Sequence, residues 1–154
     1  MTGFDARDPD FESRVRRSFA RQAFMTTLGA TLTAVRPGEV LIGLPFRGAL
    51  TQQHGFLHAG VVSSVVDSAC GYAALSLMPV GAAVLSVEFK VNMLAPAAGR
   101  RFEALGRVRR AGRTIMVCEG ELRAYGDDDD AGDTLVALMQ GTMMTVRDRP
   151  GLID

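Results

Sequence analysis

The chain has 154 residues, 47% of them apolar, enough to enclose one core and too little for a second domain of ordinary size. Its 17 basic side chains are matched by 17 acidic ones, so the formal net charge is zero. That excludes a whole-surface grip on nucleic acid or on an anionic membrane, and any hold on an anionic ligand must be local.

The first residues are charged and partly acidic, without the basic start and apolar run of a secretion signal. Pro9 opens a helical pattern in which Phe11, Val15 and Phe19 recur every four residues, with Arg14, Arg16, Arg17 and Arg21 between them. Gly29 is the expected stop. Two strand-like runs follow, Thr31 to Val35 and Val40 to Leu44, joined by a turn whose Pro37-Gly38 pair suits type II geometry. A loop from Gly48 to Gly55 leads into an apolar helix from His58 to Met78, ended by Pro79 and Gly81.

The apolar stretch from Val61 to Leu85 is broken by Asp67, Pro79 and several serines and glycines. It suits a buried soluble helix better than a membrane span. Next, Leu85, Val87, Phe89, Val91 and Met93 alternate with Ser86, Glu88, Lys90 and Asn92, predicting a strand with one face buried and one wet. Arg101 to Arg110 and Thr114 to Tyr125 form an expected hairpin around Ala111-Gly112-Arg113. Gly126 to Asp133, with four consecutive aspartates, reads as a solvated loop, Thr134 to Arg147 as the last strand, and the tail after Pro150 as loose. The expected organisation is one domain over 1–154, with an N-terminal helical segment to residue 29 and a core over 30–147.

The order helix, two strands, helix, four strands, with short connections, predicts an α+β fold built on a mainly antiparallel sheet. A central helix that is apolar nearly all round must be enclosed, so a curved antiparallel sheet wrapped around one long helix is expected. Cys70 and Cys118 lie in apolar runs without metal or redox spacing, and buried, reduced thiols in a cytoplasmic protein are the simplest reading.

Between Gly48 and Val87 the one formally charged side chain is Asp67, in the middle of the apolar helix. Burying a carboxylate there costs several kcal/mol unless it is hydrogen-bonded or put to use. Asp67 shares its helical face with Ser63, Gly71 and Ala74, a strip of small residues that a ligand or a second helix can approach closely. The alternative is an aspartate paired to a nearby serine. The helix start, His58-Ala59-Gly60, presents backbone N–H groups without partners inside the helix. They can polarise a carbonyl, or simply form an ordinary helix terminus. His58 and Asp67 are nine residues apart, about two and a half turns, so they point to opposite sides of the helix. If both act on one reacting atom, the site combines the helix start of one subunit with Asp67 of another.

His54, His58 and Asp67 do not make a metal set: His54 precedes the helix, and Asp67 points away from His58. Arg109, Arg110 and Arg113 surround a glycine-containing turn, with Lys90 on the preceding strand. These side chains suit phosphate binding, or a solvated hairpin tip.

The run QQHGFLHAGVVSSVVDSACGYAA, the strand LSVEFKVNMLAPAAG and the basic Gly-Arg-Thr hairpin together resemble the hotdog-fold acyl-CoA thioesterases of the phenylacetate-degradation (PaaI-like) family, over about Thr31 to Val146. The resemblance implies hydrolysis of acyl-CoA thioesters by homodimers assembled as homotetramers, with no cofactor beyond the CoA of the substrate. It implies Asp67 as general base or nucleophile. It also implies that Ala59 and Gly60 supply the helix start whose first N–H binds the thioester oxygen, that His58 supports the site, and that Ser86 places the water or the carboxylate. Met93 to Ala98, including Ala95 and Pro96, and Arg110 to Ile115, including Gly112 and Thr114, match segments that touch CoA. Two positions depart from the pattern. Ala59 stands where many members have glycine, which leaves the N–H intact. Gln52, with Gln53 beside it, stands where many have asparagine; glutamine offers the same donor and acceptor on a longer arm. A hotdog hydratase or dehydratase and a non-catalytic acyl-CoA-binding protein are the rival functions. Binding sensors of this fold usually need an attached DNA-binding segment, and the first thirty residues show no helix-turn-helix pattern.

Overall fold

The computed structural model describes residues 3–126, 133–152 and 154. Helices α1 (Phe11–Arg21) and α2 (Ala23–Leu28) precede strands β1 (Thr31–Arg36) and β2 (Glu39–Pro45). A single 3-10 turn (Gly48–Leu50) leads to α3 (Ala59–Leu75), and β3 (Ala83–Met93), β4 (Arg101–Ala111), β5 (Ile115–Tyr125) and β6 (Asp133–Val146) follow. The strands form one antiparallel sheet in the order β1-β2-β4-β5-β6-β3. α3 packs on one face of it, against β2 through β6. The aspartate run of the expected solvated loop lies outside the described residues.

α3 buries Val62, Val65, Val66, Ala69, Cys70, Ala73 and Leu75 against Ile42, Phe102, Ala104, Met116, Leu122 and Met143 from the strands. It sits so close because of two glycines. A Cβ on Gly106 would come within 2.3 Å of the Ala69 carbonyl carbon, and one on Gly120 within 2.4 Å of a Val66 methyl. The opposite sheet face is polar at alternate positions. Glu39 lies between Arg36 and Arg107 there, and Arg123 between Glu121 and Asp133. The Arg107 hydrogen bond holds the Glu39 carboxyl below its usual range.

The structure departs from three of the sequence expectations and adds one placement they did not address. The first helical segment is not continuous: Gln22 adopts ψ 91° and separates α1 from α2, and Gly29, at φ 75°, ends the second piece. Arg14, one of the arginines between the apolar positions, is buried with them. It is 3% exposed, paired with Asp8 at 3.3 Å, and donates to the carbonyls of Leu75, Met78 and Pro79 at 2.7–2.9 Å. It thereby satisfies carbonyls that the end of α3 leaves over. The tail is not wholly loose: the Asp154 carboxylate accepts hydrogen bonds from Ser18 (2.5 Å) and Arg21 (3.0 Å). Finally, β3 leaves most of its alternating apolar residues uncovered, Val91 being half-buried. Leu85, Val87, Phe89 and Met93 are 43%, 54%, 43% and 42% exposed. β3 is an edge strand whose register shifts between Ser86 and Glu88, and its free edge has no neighbouring strand among the described residues.

Candidate active site

The chain builds two cavities at different places along α3. The first surrounds Asp67. Ser86 on β3 donates to the Asp67 carboxylate at 2.8 Å, and burial outweighs this bond to push the Asp67 pKa above the usual carboxylate value. A cavity of about 320 Å³ opens beside the pair. α3 contributes Asp67, Ser68, Gly71 and Tyr72, β3 contributes Val84 and Ser86, and the end of α1 contributes Ser18, Arg21 and Gln22, with Asp154 adjoining. The expected open strip is real at Gly71, where an added Cβ would meet nothing within 4 Å.

The second cavity, of about 420 Å³, lies at the start of α3. Gln52, Phe56, Leu57, Ala59 and Val62 line it together with Met93, Leu94, Ala95, Pro96, Ala97 and Val136. Two backbone bonds hold the parts together, Leu57 N–H to Ala97 O (3.1 Å) and His58 N–H to Leu50 O (3.0 Å). His58 is the N-cap of α3: its Nδ1 accepts from Gly60 N–H at 2.8 Å. Gly60's donor is thus occupied, while the Ala59 N–H has no acceptor among the described residues. That N–H carries the positive end of the helix dipole into the cavity. Gln52 lines this cavity, its side-chain oxygen accepting from His54 N–H, whereas Gln53 is exposed outside it.

Sheet register separates the remaining candidates. Ser86, Met143, Met116 and Ala111 form one row across β3, β6, β5 and β4. The hairpin tip with Gly112, Arg113 and Thr114 adjoins this row, at the Asp67 end of the molecule. Gly112 N–H closes the tip on Ile115 O at 3.0 Å, and Thr114 O accepts from Thr145 N–H. Met93, Ala137, Leu122 and Ala104 form another row, seven residues along β3 from Ser86, about 23 Å away. The two segments expected to touch CoA therefore do not meet within one chain. Arg110 and Arg113 are exposed and have no carboxylate partner among the described residues, whereas Arg109 is held by Glu119 at 2.6 Å. Lys90 is exposed midway along β3.

Gln22, Ser68 and Tyr72 were not singled out from the sequence. Ser68 and Tyr72 share a helical face one turn apart beside Asp67, a readable signal; Gln22 reaches them only because α1 breaks at that residue. Cys70 and Cys118 are free and buried, the Cys70 thiol pushed well up by burial and the Cys118 thiol to about 12, so neither is a ready nucleophile. Among the described residues no three His, Cys, Asp or Glu side chains gather as a metal site.

A long helix on one face of a six-stranded antiparallel sheet, with a lone carboxylate in mid-helix and an open helix start, is the α+β arrangement of a hotdog-type domain. Comparison with known proteins agrees. The family model of the thioesterase superfamily matches residues 54–131. A Halobacterium salinarum protein that carries a provisional esterase name is 31% identical over 96% of this chain and 99% of its own. The crystal structure of a thioesterase family protein from Silicibacter pomeroyi is 50% identical, with a TM-score of 0.85, over 89% of this chain and 98% of that one. The E. coli PaaI protein from the phenylacetic acid degradation operon shares the fold, with a TM-score of 0.78 at 20% identity over 92% and 96% of the two chains. The chain belongs to the hotdog-fold thioesterase superfamily and is a hydrolase of that class.

Proposed function

We propose that the protein hydrolyses acyl-CoA thioesters to the free acid and CoA at sites shared by two chains of a homodimer. The observation that carries this reading is the separation of the two reactive elements. The Asp67 carboxylate lines one cavity, and the unpartnered Ala59 N–H lines another. A single chain offers each half of a hydrolytic site and not the whole.

The homodimer is expected to join the two halves along β3. The free edge of that strand and its exposed Leu85, Val87, Phe89 and Met93 invite a second copy. A two-fold axis there makes two equivalent sites. Pairing of two such dimers into a homotetramer rests on the family resemblance. So does curling of the sheet round α3, although α3 touches five strands. Buried free thiols fit a cytoplasmic setting.

In each site the thioester oxygen accepts from Ala59 N–H, which stabilises the negative charge that develops on attack. His58 acts by capping the helix and fixing that N–H. Asp67, steadied by Ser86, removes a proton from water, which attacks the carbonyl and expels CoA, the proton passing to its sulfur. Alternatively, Asp67 attacks the carbonyl itself, expels CoA and forms a mixed anhydride that water then hydrolyses to the free acid. Gln52, rather than Gln53, takes the place of the family asparagine, beside Met93, Ala95 and Pro96. Arg110 and Arg113 meet the CoA phosphates, with Thr114 and the Gly112 turn framing them and Lys90 and Arg109 flanking.

A thiol-release assay over aromatic and straight-chain acyl-CoAs tests the reading. Stoichiometric free CoA and acid are expected. Hydration of an enoyl-CoA without thiol release would replace the reading with a hydratase, and tight acyl-CoA binding without turnover would replace it with a binding protein.

A further inference from the structure

Ser86 has one hydroxyl proton and two acceptors within reach. Its Oγ lies 2.8 Å from Asp67 Oδ1 and 3.4 Å from Met143 Sδ, and among the described residues Ser86 is the only hydrogen-bond donor to Asp67. The proton serves one acceptor at a time. A carboxylate is a far stronger acceptor than a thioether, so the ionised Asp67 takes it. Met143 comes from β6, directly opposite Ser86 in register, and is wholly buried. Its end methyl lies over Gly141, where an added Cβ would come within 3.3 Å of it. A side chain at 141 would press on that methyl, so the glycine leaves room for the sulfur to sit under Ser86.

Resting on the thioesterase reading, we propose that Met143 is a positioning residue for Asp67, its sulfur taking the Ser86 hydrogen whenever the carboxyl carries a proton. With Asp67 ionised, Ser86 O–H donates to Oδ1. When Asp67 takes a proton from water, its new O–H donates to Ser86 Oγ, and the Ser86 hydrogen rotates to Met143 Sδ. When Asp67 passes that proton to the departing CoA sulfur, the Ser86 hydrogen swings back. Ser86 thus holds Asp67 in both states, as donor in one and acceptor in the other. Without the sulfur, the Ser86 hydrogen would face apolar surroundings in the protonated state, which would then be disfavoured.

Other groups that bear on the Asp67 charge are known. Arg21 and Asp154 face the same cavity, paired at 3.0 Å. Tyr72 is hydrogen-bonded with Ser18 and Gln22, and the buried thiols of Cys70 on α3 and Cys118 on β5 are nearby. Glu88, the next acidic group along β3, is hydrogen-bonded to Thr142, which alternates with Met143 and so lies on the other sheet face. A change confined to Met143 leaves all of these in place.

The test records pH profiles of kcat/KM by thiol release for the intact protein, Met143→Leu, Ser86→Ala and the double variant. Leucine keeps the volume and removes the acceptor. Met143→Leu weakens the protonated state, so the limb should move to lower pH by at least roughly 0.4 of a unit, opposite in direction to Ser86→Ala. With Ser86 already replaced by alanine, Met143→Leu should move the limb by less than roughly 0.1 of a unit. Met143→Ile, which also lacks the acceptor and suits a strand, carries the test if the leucine variant does not fold. An unmoved limb or a move to higher pH overturns the proposal alone. So does an equal move with and without Ser86, which would show that Met143 acts by packing. Absence of thiol release from acyl-CoA esters by the intact protein overturns the thioesterase reading and this proposal with it.

Discussion

The two cavities on α3 differ in almost every respect. At the helix start, backbone does the work: a single N–H is left free because His58 takes the next one, and the walls are largely apolar. At mid-helix, side chains do it: a carboxylate is held by one serine and faces polar groups from three elements. The first can stabilise developing negative charge but cannot accept a proton. The second can accept a proton, and its donors are side chains such as Arg21, Gln22 and Tyr72, not a helix-start N–H. On the proposed reading neither is an esterase site alone, and both sit beside an edge strand whose apolar residues are uncovered.

The sharpest way to break this contrast is Asp67→Asn. Loss of the base should cost at least roughly a hundredfold in kcat. Stability should move the other way. The folded chain holds the Asp67 proton more tightly than the unfolded chain, because burial raises its pKa. Ionisation therefore costs stability as pH rises through the window between the ordinary and the raised value, and the cost persists at neutral pH. Asparagine removes that cost, so Tm should hold or rise while turnover collapses. A folded variant with near-normal turnover takes Asp67 out of the mechanism.

A smaller effect is expected where the mid-helix cavity nears the basic hairpin. Arg110→Ala or Arg113→Ala should raise KM for CoA esters roughly fivefold, about 1 kcal/mol, with kcat nearly unchanged. A short thioester without the nucleotide should not respond. Equal responses from both substrates would show that these arginines do not hold the phosphates.

The smallest effect sharpens the electrostatics. Activity needs the ionised carboxylate, so kcat/KM should rise with pH through a limb above the ordinary aspartate range. The Ser86 hydrogen bond lowers the Asp67 pKa. Ser86→Ala should therefore move the limb to still higher pH, as a full pH–rate profile would read. A shift to lower pH would mean that Ser86 favours the protonated acid.

Much of this was legible in the sequence, for definite reasons. Asp67 stood out because it is the one charge in a long apolar run. The half-turn offset from His58 follows from helix geometry alone, and the two cavities keep it. Elements bounded by glycine and proline, such as the turn at Pro37-Gly38 and the β4–β5 hairpin, came out close to their observed limits. What stayed hidden depends on residues distant in the chain. Arg14 cannot be told from Arg16, Arg17 and Arg21 until Leu75, Met78 and Pro79 arrive to accept from it. Gly106 and Gly120 look like weak points in strands until α3 lies on them. The alternation in β3 correctly signals a strand but cannot say that its apolar side waits uncovered at a sheet edge.

The central claim is that each site is assembled from two chains, and mixing two inactive variants tests it most directly. One carries Asp67→Asn. The other carries Ala59→Pro, which removes the polarising N–H at the first position of α3, where proline is tolerated and where His58 already has extended backbone at ψ 139°. After each is shown to assemble, the two are mixed under conditions that exchange subunits, with exchange followed by mass. In a mixed dimer one site collects both defects and the other collects neither. Thiol release should return to at most about half the normal rate per mixed dimer, with sites acting independently. Demonstrated exchange with no return of activity would contradict the account and confine both groups to a site within one chain.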